Sequence, residues 1–180
     1  MKASSGKKLL ILVNLLGGVA VLGSYAWGLT NYPSLRGALW GGVPEAIRPL
    51  YTVNMLLATG GWISIALHLL RGPNDMHVGN RPAHLLFAII QMLILLPSAF
   101  WMPLTLVVIQ QGGSLPWTMT RLCLSMVGVG AVLQVWAVWE LRPKPNKAAV
   151  RAVLVGGAVA FALQTAVLDA IVWPHYFVIP

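Results

Sequence analysis

LTNYPSLRGALWGGVPEAIRPLYTVN, Leu29–Asn54, is the longest break between the apolar runs of this 180-residue chain, and the runs on either side of it decide the fold. Before it, Leu9 to about Leu29 is one continuous apolar stretch; after it, Leu50 to Leu70 is another. At 1.5 Å per residue about twenty apolar residues span a hydrocarbon core, so each reads as a transmembrane helix. A connection of this size that holds Trp40, Gly41, Gly42, Pro44 and Pro49 is not a passive tether. It pairs Glu45 with Arg48 and has Tyr32 and Tyr51 towards its two ends, and we read it as a lid folded back over the space between helices.

The rest of the chain repeats the pattern. Arg71–Pro82, RGPNDMHVGNRP, is a polar turn punctuated by glycine and proline, and Pro82 suits the first turn of a third span from Ala83 to about Ile109. Pro97 and Pro103 inside that span predict a kinked or locally unwound helix. Gln110–Pro116 is a short turn, Trp117–Leu141 a fourth span, Arg142–Lys147 a basic connector, and Ala148–Trp173 a fifth span with an apolar tail to Pro180. The expected architecture is an all-α integral membrane protein, a single domain of five transmembrane helices at about 9–29, 50–70, 83–109, 117–141 and 148–173.

Composition agrees. The chain is 58% hydrophobic and only 9% charged, where a soluble domain carries about 25% charged residues. Its net charge of +8 needs no nucleic acid as partner, because the basic residues flank apolar runs, as topology determinants do. Five spans put Lys2, Lys7, Lys8, Arg71, Arg81, Arg142, Lys144, Lys147 and Arg151 on one side, and Arg36, Arg48 and, at its edge, Arg121 on the other. The positive-inside rule then makes the N-terminus cytoplasmic and turns the 29–54 loop and the C-terminus outward. Trp27, Trp40, Trp117 and Trp173 fall near the outer interface and Trp139 near the inner one. Cys123 is single and sits in an apolar run, which excludes an internal disulfide.

Ionisable groups inside a span are functional candidates by default. Arg121 and Asp169 each lie about one turn from the outer end of antiparallel neighbours, so the two are expected to pair. Thr118, Arg121 and Ser125 share one helical face, and Thr165 and Asp169 another. These faces would meet beneath the loop, near Trp101, Trp117 and Gln110. The alternative is that the pair only holds two helices in register. Four histidines invite a haem test: His68 and His84 could face each other across the 71–82 turn as axial ligands, whereas His77 and His175 lie elsewhere. Single histidines near helix ends more commonly serve as hydrogen-bonders. Zinc spacing, a GxSxG elbow and a phosphate-binding glycine loop are all missing from the sequence.

The loop WGGVPEAIRPLY, Gln91 with Trp101 and Pro103 in the third span, and LQTAVLDAIVW in the last span are similar to motifs of the tryptophan-rich sensory protein or translocator (TspO) family. The chain resembles that family in layout too: five spans in under two hundred residues, many tryptophans and a long first loop. The resemblance implies a pocket for a tetrapyrrole, a sterol or a similar flat apolar ligand, capped by the loop. The expected function is therefore a non-enzymatic receptor or carrier, with Trp40, Tyr51, Trp101 and Trp117 as stacking faces, Arg121 on a ligand carboxylate and Asp169 orienting it. Two other readings stay open. One is a structural or accessory subunit of a larger membrane complex, a reading that a stable homodimer or monomer would disfavour; the other is a small b-type cytochrome holding haem through His68 and His84.

Overall fold

A computed structural model describes residues 3–145 and 147–178; Lys2 and the end of the apolar tail, 179–180, lie outside the described residues. Among these residues five helices are long and apolar enough to cross a membrane: Ser5–Asn31, Glu45–Arg71, Ala83–Gln111, Ser114–Glu140 and Ala148–Tyr176. This is the arrangement of a multi-pass integral membrane protein. Large apolar side chains such as Leu12, Leu16, Val19, Leu56, Leu96 and Leu122 point outward from them. In water so much exposed apolar surface would be a liability, and in a bilayer it is the contact with lipid.

We number the helices α1 (Ala3–Asn31), α2 (Arg48–Arg71), α3 (Ala83–Gln111), α4 (Ser114–Glu140) and α5 (Ala148–Ala162). α5 continues as a π-helical stretch, Leu163–Val172, and ends in a single α-helical turn, α6 (Trp173–Tyr176). The first helix starts earlier than its apolar run. Its basic start is already helical, and the Lys7 ammonium donates to the Gly72 carbonyl just past α2 at 3.3 Å. α3 is unbroken over 29 residues with Pro97 and Pro103 inside it, so the local unwinding expected there is absent.

Packing follows a ring. α1 lies on α3, α3 on α4, α4 on α5 and the π-helical stretch, and α2 on α5, whereas α1 and α2 make no comparable contact. The ring is thus open between the two helices that the first loop joins. One core cluster, with Leu10, Ile65, Leu69, Phe87, Ile90 and Leu154, fills the end near the 71–82 connection. A second, with Val43, Tyr51, Val108, Leu168, Trp173 and Phe177, fills the end under the first loop. Within the first cluster a polar chain crosses three helices: Trp62 Nε1 donates to Gln91 Oε1 at 2.9 Å, and Gln91 Nε2 donates to Gln134 Oε1 at 2.8 Å.

Two connections read as separate turns are joined. β1 (His77–Val78) pairs antiparallel with β2 (Arg81–Pro82) and with β3 (Leu141–Arg142), in the order β2-β1-β3. Gly79 takes φ +56 in the tight turn between β1 and β2, a conformation that favours glycine. With Met76 and Val78 buried beneath it, this small sheet ties the α2–α3 connection to the end of α4.

Candidate functional site

The first loop is shorter than the break in hydropathy. α1 runs on to Asn31 and α2 starts at Arg48, so 32–47 remains, folded as three single 3-10 turns at Pro33–Leu35, Ala38–Trp40 and Glu45–Ile47. Its backbone is bound to the C-terminal end of the chain: Gly42 N–H donates to the Tyr176 carbonyl at 3.0 Å, and Trp173 Nε1 donates to the Leu39 carbonyl at 2.9 Å. The Arg36 guanidinium closes the end of α1, donating twice to the Leu29 carbonyl at 3.1 and 2.8 Å. Arg48 bonds the Val43 carbonyl at 3.1 Å and pairs with Glu45 at 3.6 Å. Held at both ends and in the middle, the segment is a roof.

Beneath it lies a cavity of about 750 Å³, within the range of pockets that take cofactor-sized or drug-sized molecules. The roof contributes Arg36, Leu39 and Trp40; the walls contribute Tyr25, Tyr51, Trp101 and Trp173; the π-helical stretch contributes Gln164, Thr165 and Asp169. Tyr25 stacks on Trp101 with ring centres 5.6 Å apart, Trp101 meets Trp173 edge to face at 6.0 Å, and Trp40 meets Tyr51 likewise at 6.0 Å. Leu22, Met55 and Thr59 line the cavity and are also exposed on the outer surface. The cavity therefore opens sideways through the gap between α1 and α2.

The polar side of the cavity is a product of the π helix. Buried positions in the last span are four apart at Leu154 and Ala158, five apart at Leu168 and Trp173, and four apart again at Trp173 and Phe177. On an α-helix residues five apart diverge by about 140°, but in an i→i+5 ladder they stack one above the other. Gln164 Nε2 can therefore donate to Asp169 Oδ1, five residues on, at 2.9 Å. Gln164 Oε1 in turn accepts from Asn54 Nδ2 at 3.1 Å, and the Tyr51 hydroxyl donates to the Leu168 carbonyl at 3.0 Å. An α-helical periodicity pairs Asp169 with Thr165 and overlooks Gln164.

Of the residues expected at the site, Trp40, Tyr51, Trp101 and Asp169 line this cavity, and Trp117 and Arg121 do not. Trp117 backs the wall, stacked on Phe177 at 5.0 Å and 5.9 Å from Trp173. Arg121 is exposed, as are Thr118 and Ser125, and among the described residues it forms no ion pair with Asp169. The inward stripe of α4 is Thr120, Leu124 and Val127, which turns the neighbouring Thr118, Arg121, Ser125 face outward. Gln110 is exposed at the end of α3. Tyr25, Arg36, Gln164 and Trp173 are cavity residues that sequence reasoning did not place at the site; the spacing of five between Gln164 and Asp169 is a signal for Gln164, and no comparable signal marks the other three.

The histidines lie apart from the cavity. His84 is buried at the start of α3, and its ring meets the Leu69 carbonyl at 3.0 Å; since a carbonyl only accepts, Nε2 carries the proton. That bond fixes His84 as a link between α2 and α3, with His68 half-buried one turn before the end of α2. His77 and His175 are exposed. Among the described residues no three His, Cys, Asp or Glu side chains converge to hold a metal ion. A second groove, about 380 Å³, between α4 and the π-helical stretch is lined without any charged side chain. Comparison with family models, curated proteins and solved structures returns no match for this chain.

Proposed function

We propose that the protein is a non-enzymatic membrane receptor or carrier that binds a flat hydrophobic molecule, of tetrapyrrole or sterol size, under the 32–47 roof. The observation that carries this reading is the cavity itself: aromatic on several sides, polar at one, and open towards lipid. Rings give broad stacking faces for a flat body, and a few convergent polar groups fix its orientation. The resemblance in layout and motif to the TspO family suggests the same kind of ligand. Trp40, Tyr51 and Trp101 are the stacking residues in this reading, joined by Tyr25 and Trp173, and Asp169 is the polar anchor. Arg121 has no part in it.

We also propose that the roof faces outward and the N-terminus is cytoplasmic, because Lys7, Lys8, Arg71, Arg81, Arg142, Lys144, Lys147 and Arg151 gather at the end opposite the roof. Protease access in sealed vesicles of known sidedness checks this orientation.

The binding test is titration of the purified protein in nanodiscs with protoporphyrin and with cholesterol, followed by tryptophan emission. A saturable response to either supports the proposal. Trp101→Ala should then weaken binding by about tenfold or more, as removal of a buried aromatic anchor does, and Arg121→Ala should leave it unchanged. No saturable response, together with stoichiometric co-purification of other membrane chains, would make the protein an accessory subunit instead.

A further inference from the structure

We propose that the cavity's ligand carries a positive charge, an amine or onium nitrogen on its flat apolar body, that rests against Asp169; this deepens the carrier reading above and depends on it. Asp169 is the acidic residue of the cavity lining. Its Oδ1 accepts from Gln164, and among the described residues Oδ2 has no hydrogen-bond partner. A carboxyl group removed from bulk water needs a counter-ion or a proton. The protein supplies no counter-ion: among the described residues Asp169 is in no ion pair, and Arg121 is turned outward. Arg36, the basic residue of the lining, lies in the exposed roof with its guanidinium committed to the Leu29 carbonyl.

The surroundings of Asp169 have the same polarity. Tyr25, Trp40, Tyr51, Trp101 and Trp173 line the space it opens into. The faces of such rings are electron-rich, and rings gathered around a desolvated site attract an ammonium or onium group. Gln164 is held by its own bonds to Asn54 and Asp169, so the carboxyl group is fixed in orientation before any ligand arrives. An acid aimed into a ring-lined cavity selects a cation, and the sideways opening selects one amphipathic enough to partition into lipid.

The test uses the full-length protein in nanodiscs and an isosteric pair of probes, N-methylacridinium and its uncharged carbon counterpart methylanthracene, with tryptophan quenching as readout. The wild type should bind the cation more tightly by about tenfold or more. Asp169→Asn should abolish that preference and leave methylanthracene affinity within about twofold, and Asp169→Glu should retain the preference. Equal affinity of the wild type for the two probes, or a preference that survives in Asp169→Asn, overturns the inference and leaves the carrier reading standing. Binding of neither probe overturns both. If Asp169→Asn does not fold, the wild-type comparison alone decides.

Discussion

Gly61 and Gly157 meet backbone to backbone where α2 lies against α5, and a β-carbon on either would overlap the main chain of the other. Each has a glycine neighbour, Gly60 and Gly156, around which a β-carbon would find open space. Such close approach is how helices gain contact in lipid, where no hydrophobic force drives them together. Gly61→Ala should cost about 1–3 kcal/mol by forcing the helices apart. Gly60→Ala should be neutral or gain up to about 1 kcal/mol from better helix propensity. Thermal denaturation in detergent, followed by circular dichroism, checks both, and equal shifts would mean that the α2–α5 contact is not tight. The sequence shows two adjacent glycines at each place. Which glycine of the pair faces the partner depends on rotations that only the neighbouring helix fixes. Arg121 carries the same lesson: its place in the fourth span was legible, but α4 begins three residues earlier than the apolar run, and its direction was set by Thr120, Leu124 and Val127 taking the inward side of α4.

The 32–47 roof holds its shape through a few bonds to the C-terminal end. Gly41 takes φ +58, and a β-carbon on Gly42 would sit 2.5 Å from the Tyr176 carbonyl oxygen, the atom that Gly42 N–H bonds. Gly42→Ala should therefore lose that bond and loosen the roof. Losing about 1.4 kcal/mol of local stability, one hydrogen bond's worth, opens a segment about tenfold more often. Trypsin should then cut after the exposed Arg36 about tenfold faster than in the wild type, read by mass spectrometry of the fragments. An unchanged rate would show that the Tyr176 contact does not hold the roof. Element by element, the five spans were legible because length and hydropathy alone define them. The sheet joining 77–82 to 141–142 was not, since two-residue strands carry no periodic signal and pair across some sixty residues of chain. The π-helical stretch was hidden for another reason: its composition is that of any apolar helix, and only the five-residue spacings of Gln164 with Asp169 and of Leu168 with Trp173 depart from α periodicity.

At the scale of the whole molecule, the ring of helices is closed everywhere except between α1 and α2, and the roof is fastened down. Ligand traffic should therefore run through the side, at the depth of Leu22 and Thr59, and leave the roof in place. Leu22→Trp combined with Thr59→Trp should slow association several-fold while changing equilibrium affinity by less than about threefold, because obstruction at a portal acts on both rates alike. Stopped-flow quenching with the probe that binds checks this. If the double variant associates at the wild-type rate but Gly42→Ala speeds association, the roof is the door after all.

The stretch from Leu163 to Val172 links the polar side of the cavity to the roof. Its lower turns carry Gln164 and Asp169, its upper end delivers Trp173 to the Leu39 carbonyl, and one wide ladder sets the angle of both. Narrowing that ladder to an α-helix would swing Gln164 away from Asp169 and turn the Trp173 indole off its acceptor in the same movement. The last span is thus geared like a shaft, so that the angular setting of a carboxyl group deep in the bundle and the seating of the surface cap are a single mechanical variable.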